Sequence, residues 1–536
     1  MSIIIITVIY LAILAYLGYL GFKHTKTSKD YLIGGRQIHP VIMALSYGAA
    51  FISTSAIVGF GGAAGVFGMG LLWLTVLNIF VGIFIAFVFF GKRTRKMGHN
   101  LEAHTFPELI SKRFQSVLIQ KFAGSIIFLF MPLYAAGVMI GASKFLEASL
   151  NIDYNAALFS FSVLIAIYVF YGGLKGVMYS DAFQGSLMLV GMSILLFWVY
   201  NNLGGISLAH TRLTEMMSNP IVLEQLGSEG ANILPGFAGW TSMPEFLSIN
   251  WWYLISSIVL GVGIGVLAQP QLVVRFMTVK SNRELNRAVP VGGIFILMMT
   301  GVAFLVGSLS NIYFFEEYGQ IAVLAAGDSG SIIPLYINNF MPGWFSSVFL
   351  IVVVAAGMST ISSQFHAMGT ALARDLFNTE GKSEKQSLFL SKMGMLISIL
   401  ITISLAYILP QIWSGAIAAS TALFFGLCGA AFLPMYFGAL YFKKMPKVAA
   451  EWGMIVGFLS SLFWITFVHI KESASLRIAN AIFGRPSLAD GSIWAWVDPI
   501  VIALSLSILV TLVISLIKKN DIEEEHIEKC FKGIGA

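Results

Sequence analysis

The sequence predicts an all-α integral membrane protein, and three observations lead to that fold class. Of its 536 residues, 57% are hydrophobic and only 11% are charged, which is too little polar surface to cover a water-soluble body of this size. The apolar residues form long runs, without the alternation of a membrane β-barrel. Two runs contain clusters of glycine, which indicate helices interrupted inside the membrane.

Crossing about 30 Å of hydrocarbon takes roughly 20 apolar residues in a helix, and the chain contains about thirteen transmembrane runs of this kind. In chain order they lie near residues 3–22, 41–66, 70–91, 122–145, 155–172, 182–200, 251–273, 289–312, 346–372, 389–409, 413–441, 449–469 and 497–517. The first run has no cleavage pattern and is followed directly by Lys23, so we expect a retained helix rather than a signal peptide.

Lysine and arginine are distributed unevenly between alternate loops. If Met1 lies outside, an odd number of crossings leaves the C-terminus in the cytoplasm. Of the 32 Lys and Arg residues, the outer side then holds only Lys144, Arg212, Lys471, Arg477 and Arg485. This asymmetry follows the positive-inside rule, so the basic charge reflects topology in the cell membrane and indicates no nucleic-acid partner. Two cysteines cannot supply a disulfide framework or a four-thiolate metal site.

The glycine clusters suggest an internal repeat. GFGGAAGVFG (59–68) and GVGIG (261–265) lie in the first helices of two candidate five-helix units. Because five is odd, such units are inserted in opposite directions, as in transporters with inverted repeats and broken helices. The alternative is that these glycines only ease helix packing. We expect a single transporter domain over 1–536, comprising a first helix and loop (1–38), two repeats (39–203 and 250–442) and additional helices with a short tail (443–536).

Three connecting features have local predictions. The loop over 201–249 reads more readily as a connector than as a cap on the outer face. The segment 102–115 has helical spacing, with Thr105 as N-cap and Pro107 in the first turn, so we expect it along the inner membrane surface. Asp153 is the expected N-cap of the helix that begins near Tyr154.

Four hydroxyls are concentrated in GMSTISSQF (357–365), inside a strongly apolar run. A single serine in a membrane helix usually donates to the carbonyl one turn back. A cluster beside a broken helix has another use, because hydroxyls and freed carbonyls are the oxygen ligands that hard cations prefer. We favour the second interpretation.

Four separated stretches resemble the sodium:solute symporter family, in the same order and on the same elements: SKDYLIGGR (28–36), YGGLKGVMYSDAFQGSLMLVG (171–191), AQPQLVVRFM (268–277) and AAGMSTISSQF with ARDLF (355–365, 373–377). The similarity extends over roughly residues 28–445. It implies the ten-helix inverted-repeat (5+5) core that this family shares with the neurotransmitter:sodium symporters.

The resemblance also implies ion ligands. A coupling Na⁺ ion is expected at the carbonyls of Ala49, Ile52 and Ala356 and the hydroxyls of Ser359 and Thr360. Some family members hold a second sodium between serines and the carboxylate of the YSDAFQ motif. Here the corresponding residues are Asp181, Ser362 and Ser363, and a helix N-cap is the equally weighted alternative for Asp181.

The implied substrate pocket lies between the broken helices, with lining candidates Phe51, Ser53, Thr54, Tyr134, Val262, Val266 and Gln269. Proline-carrying members have Asp in place of Phe51, and Trp and Tyr in place of Val262 and Val266. The smaller, more apolar pocket leads us to expect a small monocarboxylate or an amino acid. A helix N-terminus can bind its carboxylate without an arginine.

Other classes of function have less support. His366 is a candidate proton-coupling group, although a packing histidine is the simpler interpretation. No metalloprotease, triad or phosphate-loop motif is present in the sequence, so we expect neither enzyme activity nor a cofactor other than the coupling ion. The alternatives to sodium symport are a proton-coupled or facilitative carrier, a channel and a non-transporting sensor of the same fold.

Overall fold

The computed structural model describes residues 2–24, 36–171, 174–377, 384–413 and 415–534. Most of SKDYLIGGR and the glycine pair of the YGGLKGVMYSDAFQ stretch therefore lie outside the described residues. Within the described ranges the chain is helical, and an isolated parallel bridge joins Ile38 to Val279. The predicted all-α class is confirmed.

Ten helices lie between residues 2 and 226, and the last two of them belong to the long loop after residue 202. They are α1 (Ser2–His24), α2 (Pro40–Phe51), α3 (Ser55–Phe67), α4 (Met69–Asn100), α5 (Phe106–Phe114), α6 (Val117–Leu150), α7 (Tyr154–Tyr171), α8 (Leu174–Asn202), α9 (Ile206–Glu215) and α10 (Pro220–Leu226).

Thirteen further helices follow. They are α11 (Ile249–Ala268), α12 (Pro270–Phe276), α13 (Asn282–Tyr318), α14 (Ala322–Ala326), α15 (Ser329–Phe340), α16 (Gly343–Leu376), α17 (Glu384–Ile412), α18 (Ala416–Tyr441), α19 (Lys447–Val468), α20 (Ile470–Leu476), α21 (Ile478–Phe483), α22 (Pro499–Ile517) and α23 (Glu524–Phe531).

The apolar helices match the predicted runs. In the described part of the chain, ten helices are long and apolar enough to cross a bilayer, and α2 with α3 forms an eleventh span that bends by 57° at its break. Two shorter apolar helices, Ile5–Leu20 and Tyr154–Val169, account for the remaining runs. The chain is a multi-pass membrane protein.

The helix breaks do not lie at the glycine clusters, so the sequence prediction was wrong in this detail. Helix α2 ends at Phe51, Ile52 is extended (φ −91°, ψ 103°), and helix resumes at Ser55. The second break lies at Gln269 (φ −72°, ψ 115°), between α11 and α12. The second glycine cluster lies within α11, and the first lies within α3 except for Gly68, which directly follows its end.

The glycines allow close helix packing, which is the alternative that the sequence left open. A Cβ on Gly307 of α13 would lie 1.8 Å from the carbonyl oxygen of Gly61 in α3. A Cβ on Gly265 of α11 would lie 2.2 Å from the carbonyl oxygen of Phe425 in α18. Because no real Cβ approaches an oxygen so closely, only glycine permits the neighbouring backbones to touch the broken helices here.

Two predicted caps are confirmed, and the 201–249 loop closes over a helix end. Thr105 accepts a hydrogen bond from the third residue of α5, and Asp153 accepts one from the second residue of α7. The loop buries Trp240, whose indole N–H donates to the carbonyl of Gly65 near the end of α3 (2.7 Å). The loop is therefore a cap, not the simple connector that the sequence favoured.

Replacing Gly307 by Ala tests the close packing of α13 on α3. Overpacking of this kind costs about 1–3 kcal/mol, so the apparent Tm of the purified protein should fall. Gly293→Ala on the same helix is the matched control, because a Cβ at Gly293 meets no atom within 4 Å. An unchanged Tm for Gly307→Ala would contradict the contact.

Candidate functional site

The first helix break exposes carbonyl groups at membrane depth. The last hydrogen bond of α2 runs from the N–H of Ile52 to the carbonyl of Gly48 (2.7 Å). The carbonyls from Ala49 to Ile52 therefore lack the partners that a continuing helix would give them. In hydrocarbon such groups must be satisfied by neighbouring protein or by a bound ion.

Two hydroxyls from α16 reach one of these carbonyls. Ser359 Oγ donates to the carbonyl oxygen of Ala49 at 2.9 Å, and Thr360 Oγ1 reaches the same oxygen at 3.2 Å. The carbonyl oxygen of Ala356 lies 3.1 Å from Ser359 Oγ. Ala49, Ala356, Ser359 and Thr360 are fully buried. Ile52 is the C-cap of α2.

This cluster fits a monovalent hard cation. It offers hydroxyl and carbonyl oxygens and no nitrogen or sulfur ligand, which is the donor set that such ions prefer. Ser362 and Ser363 instead donate to the carbonyl of Ser359, at 3.1 and 2.9 Å, as a simple back-bonding reading expects. Ser359 and Thr360 differ from them because their hydroxyls contact the freed carbonyl of Ala49.

Asp181 is paired with an arginine that the sequence analysis did not consider. It lies well inside α8, so the N-cap alternative is wrong. Its Oδ2 accepts hydrogen bonds from Arg275 Nη2 (2.9 Å) and Ser46 Oγ (3.0 Å), and the two charged side chains are 0% and 1% exposed. Arg275 Nη2 also donates to Ser363 Oγ (2.6 Å), which places the guanidinium between Asp181 and Ser363.

A small cavity extends from this pair towards the face that carries the C-terminal helix. Arg275, Ser363, His366 and Asp375 line its walls, and the segment 104–107 at the start of α5 lines its other side. His366, a candidate proton-coupling residue from sequence, is thus a buried cavity-lining side chain close to Arg275.

Aromatic rings fill the space beside the first break. The ring centroid of Phe425 lies 6.1 Å from that of Phe51 and 5.1 Å from that of Tyr134. Tyr134 Oη donates to the carbonyl of Phe51 (3.4 Å). A Cβ on Gly82 would lie 3.2 Å from Val266 and 3.3 Å from Phe51, so the α4 backbone packs closely against both side chains.

The structure therefore brings together Phe51, Tyr134 and Val266 of the predicted pocket. Gln269 lies at the second break. Its Nε2 donates to the carbonyl of Gly265 (3.4 Å), and its Oε1 accepts a hydrogen bond from the side-chain Nε2 of Gln271 (3.3 Å).

The remaining predicted pocket residues occupy different positions. Ser53 Oγ accepts a hydrogen bond from the N–H of Ser55 (3.1 Å), within the break itself. Thr54 donates to the carbonyl of Val138 in α6 and is turned towards that helix. Val262 is buried on α11, one helical turn before Val266.

Two residues of this region were missed from sequence. Arg275 follows the apolar run that ends near residue 273, and nothing in the sequence placed the break at Gln269. Phe425 lies in a uniformly apolar helix that gives no pattern to distinguish it. Arg275 belongs to the quoted AQPQLVVRFM stretch, which was the available signal.

Comparisons with known proteins agree on one family. The family model for the sodium:solute symporter family matches residues 31–457. The chain is 27% identical to the osmoregulated proline transporter OpuE of Bacillus subtilis, over 89% of this chain and 92% of that protein. It is 26% identical to the sodium/proline symporter of Escherichia coli, over 83% and 84%.

A solved structure has the same fold. The Na⁺-coupled sialic acid symporter in its outward-open state superposes with a TM-score of 0.72 at 19% identity, covering 96% of this chain and 97% of that chain. The family match over most of the chain, together with this fold, defines the molecule. It belongs to the sodium:solute symporter family and is a sodium-coupled transporter, not an enzyme.

Proposed function

We propose that this protein imports a small amino acid or monocarboxylate by symport with Na⁺, through alternating access. The observation that carries the proposal is the convergence of the Ser359 and Thr360 hydroxyls on the carbonyl of Ala49, at the end of a broken helix. An ion bound in this cluster contacts α2 and α16 together, so its binding depends on the relative position of the two helices. Coupling of the ion to a conformational change requires this dependence.

The proposed sodium ligands are the carbonyls of Ala49, Ile52 and Ala356 and the hydroxyls of Ser359 and Thr360. When the ion binds, the hydroxyl protons turn away from Ala49 and the oxygen lone pairs face the cation. The site then closes only when α2 and α16 are both in place.

For the second predicted site, at Asp181, Ser362 and Ser363, we propose that Arg275 replaces the ion. Its guanidinium already contacts Asp181 and Ser363 and supplies the positive charge that a second sodium would bring. A cation placed beside it would meet like charge in a buried setting, which is unfavourable. We therefore propose one sodium ion per transport cycle.

The pocket favours a small solute with an apolar side. Phe51, Tyr134, Val262, Val266 and Phe425 supply buried apolar walls, while Ser53, Thr54 and Gln269 are the polar groups at the two breaks. The relatives named above are proline transporters, which supports an amino acid. Phe51 in place of a carboxylate, and the two valines in place of larger rings, argue for a pocket that differs from the proline pocket.

We propose that the protein lies in the plasma membrane with its N-terminus outside and its C-terminus in the cytoplasm, as the charge distribution of the loops indicates. The two repeats, 39–203 and 250–442, are the units that move relative to each other. Movement about the shared site exposes it to one face at a time.

A thermal-shift screen of small solutes tests this proposal on the purified protein. A solute that binds only the folded state at 100 times its Kd adds about 2.7 kcal/mol of stability. We expect an amino acid or a monocarboxylate to raise the apparent Tm in sodium and to have a smaller effect in choline. Stabilisation by a sugar alone, or stabilisation that is identical without sodium, would contradict the proposal.

Replacing Ser359 and Thr360 together by Ala should raise the half-saturating sodium concentration for uptake into proteoliposomes. The change removes two of about five proposed oxygens but keeps a strong helix former. Ser347→Ala on the same helix is the matched control, because that hydroxyl only donates to the carbonyl of Gly343 (3.1 Å). If the double variant folds and has the control's sodium dependence, the assignment fails.

Asp181→Asn should destabilise the protein strongly. It leaves the buried charge of Arg275 without its partner, and breaking a buried pair costs about 3–5 kcal/mol. Asp181→Asn combined with Arg275→Gln should recover part of the lost Tm, because no buried charge is then left unpaired. In the parent protein, the sodium-to-solute ratio measured from reversal potentials should be one. A parent ratio of two that falls to one in a stable Asp181→Asn variant would show that Asp181 binds sodium.

A further inference from the structure

The start of α5 covers the cavity that leads to the buried ion pair. Residues 104–107 form one wall of that cavity, and Arg275 and Ser363 line its deep end. We call residues 104–114 the plug. Any opening of the site towards this face has to displace the plug, because it lies between the cavity and the C-terminal helix.

Buried polar contacts hold the plug to α16. Glu108 is 1% exposed and pairs with Lys112 (2.8 Å) and with Arg374 (3.2 Å). Thr105 Oγ1 donates to Asp375 Oδ1 at 2.8 Å. Burial alone would raise the pKa of Glu108, but a hydrogen bond from His104 and the charges of Arg374 and Lys112 hold it below its ordinary value. The plug is therefore held by an ionised carboxylate at neutral pH.

The C-terminal helix α23 crosses the joint between α4 and the plug. On one side, Asn100 Nδ2 at the end of α4 donates to the carbonyls of Cys530 (3.1 Å) and Lys532 (2.9 Å). On the other side, a ring nitrogen of His526 lies 2.8 Å from the carbonyl of Lys112 in the plug.

The joint itself is a short turn. Residues 101–105 link α4 to α5, and Glu102 has a left-handed backbone (φ 50°), which is unusual for a residue other than glycine. Because α23 is bonded to both sides of this turn, the angle between α4 and the plug is fixed while α23 stays in place.

Phe531 fastens α23 to the plug and to the end of α18. The guanidinium carbon of Arg113 lies 5.2 Å from the Phe531 ring centroid, and the amine of Lys443 lies 5.7 Å from it. Arg113 is fully buried and donates to the carbonyls of Phe442 and Lys443, each at 3.1 Å. Phe531 thus shields a buried cation that joins the plug to α18.

From these contacts we propose that α23 is a clasp on the plug: while docked it holds the plug closed over the cavity, and its release allows this face to open. The clasp goes beyond the proposed transport function, and the contacts that define it do not depend on the identity of the solute or the ion.

Thiol labelling tests the clasp on the full-length protein in lipid nanodiscs. Cys530 lies on the buried face of α23, is fully buried and reports docking of that helix. An introduced Ala367→Cys lines the cavity beneath the plug and reports opening. Labelling by N-ethylmaleimide is followed at each site by mass spectrometry of the peptides, which separates these thiols from Cys428.

Phe531→Ala and Asn100→Ala weaken the clasp from different sides, so either serves if the other folds poorly. Each should speed labelling of both reporters by about tenfold, because contacts that keep α23 docked are lost from a local opening equilibrium. Glu525→Ala, on the exposed face of α23, is the matched control and should leave both rates unchanged.

Two results would overturn the proposal. If Cys530 in the parent reacts as fast as in detergent-denatured protein, α23 is not docked. If either variant speeds labelling of Cys530 but leaves Ala367→Cys at the parent rate, α23 undocks without affecting the plug. Neither rate requires sodium or solute, so a failure of the proposed transport function would not produce these results.

Discussion

The hydrogen bonds from Ser359 and Thr360 to the carbonyl of Ala49 join the broken helix to α16 at a depth where no water is available to replace them. A freed carbonyl in hydrocarbon costs several kcal/mol unless it has a partner, so the break at Ile52 can exist only because α16 brings hydroxyls to it. The same oxygens suit a dehydrated cation. The arrangement therefore gives the carbonyl of Ala49 a partner without the ion, and it suits the ion without added charge.

The buried charges lie apart from this cluster, nearer the face that carries the C-terminal helix. Asp181 and Arg275 neutralise each other while fully buried, and Ser46 and Ser363 add hydrogen bonds to the pair. A pair of this kind contributes little net stability, but it becomes costly if one partner is removed. The ion pair places a fixed polar group at the deep end of the cavity, beneath the plug to which α23 is bonded.

Sequence reasoning succeeded where a residue type had one dominant physical use. A threonine before a proline-containing turn and uninterrupted apolar runs each pointed to one structure, and the structure has it. The four hydroxyls had two possible uses: Ser359 and Thr360 contact the carbonyl of Ala49, Ser362 and Ser363 donate to the carbonyl of Ser359, and the sodium site stays a prediction. Glycine failed as a signal for helix breaks, because it serves both broken helices and close packing, and here Gly265 and Gly307 serve packing. Arg275, Phe425 and Trp240 were missed because their roles depend on contacts between distant segments.

A high-resolution structure determined once in sodium and once in choline tests the central claim most directly. In sodium, the account predicts a density peak surrounded by the carbonyl oxygens of Ala49, Ile52 and Ala356 and the hydroxyls of Ser359 and Thr360, and this peak should be absent in choline. Hydroxyls that still donate to the carbonyl of Ala49 in saturating sodium, with the ion bound elsewhere or not at all, would contradict it.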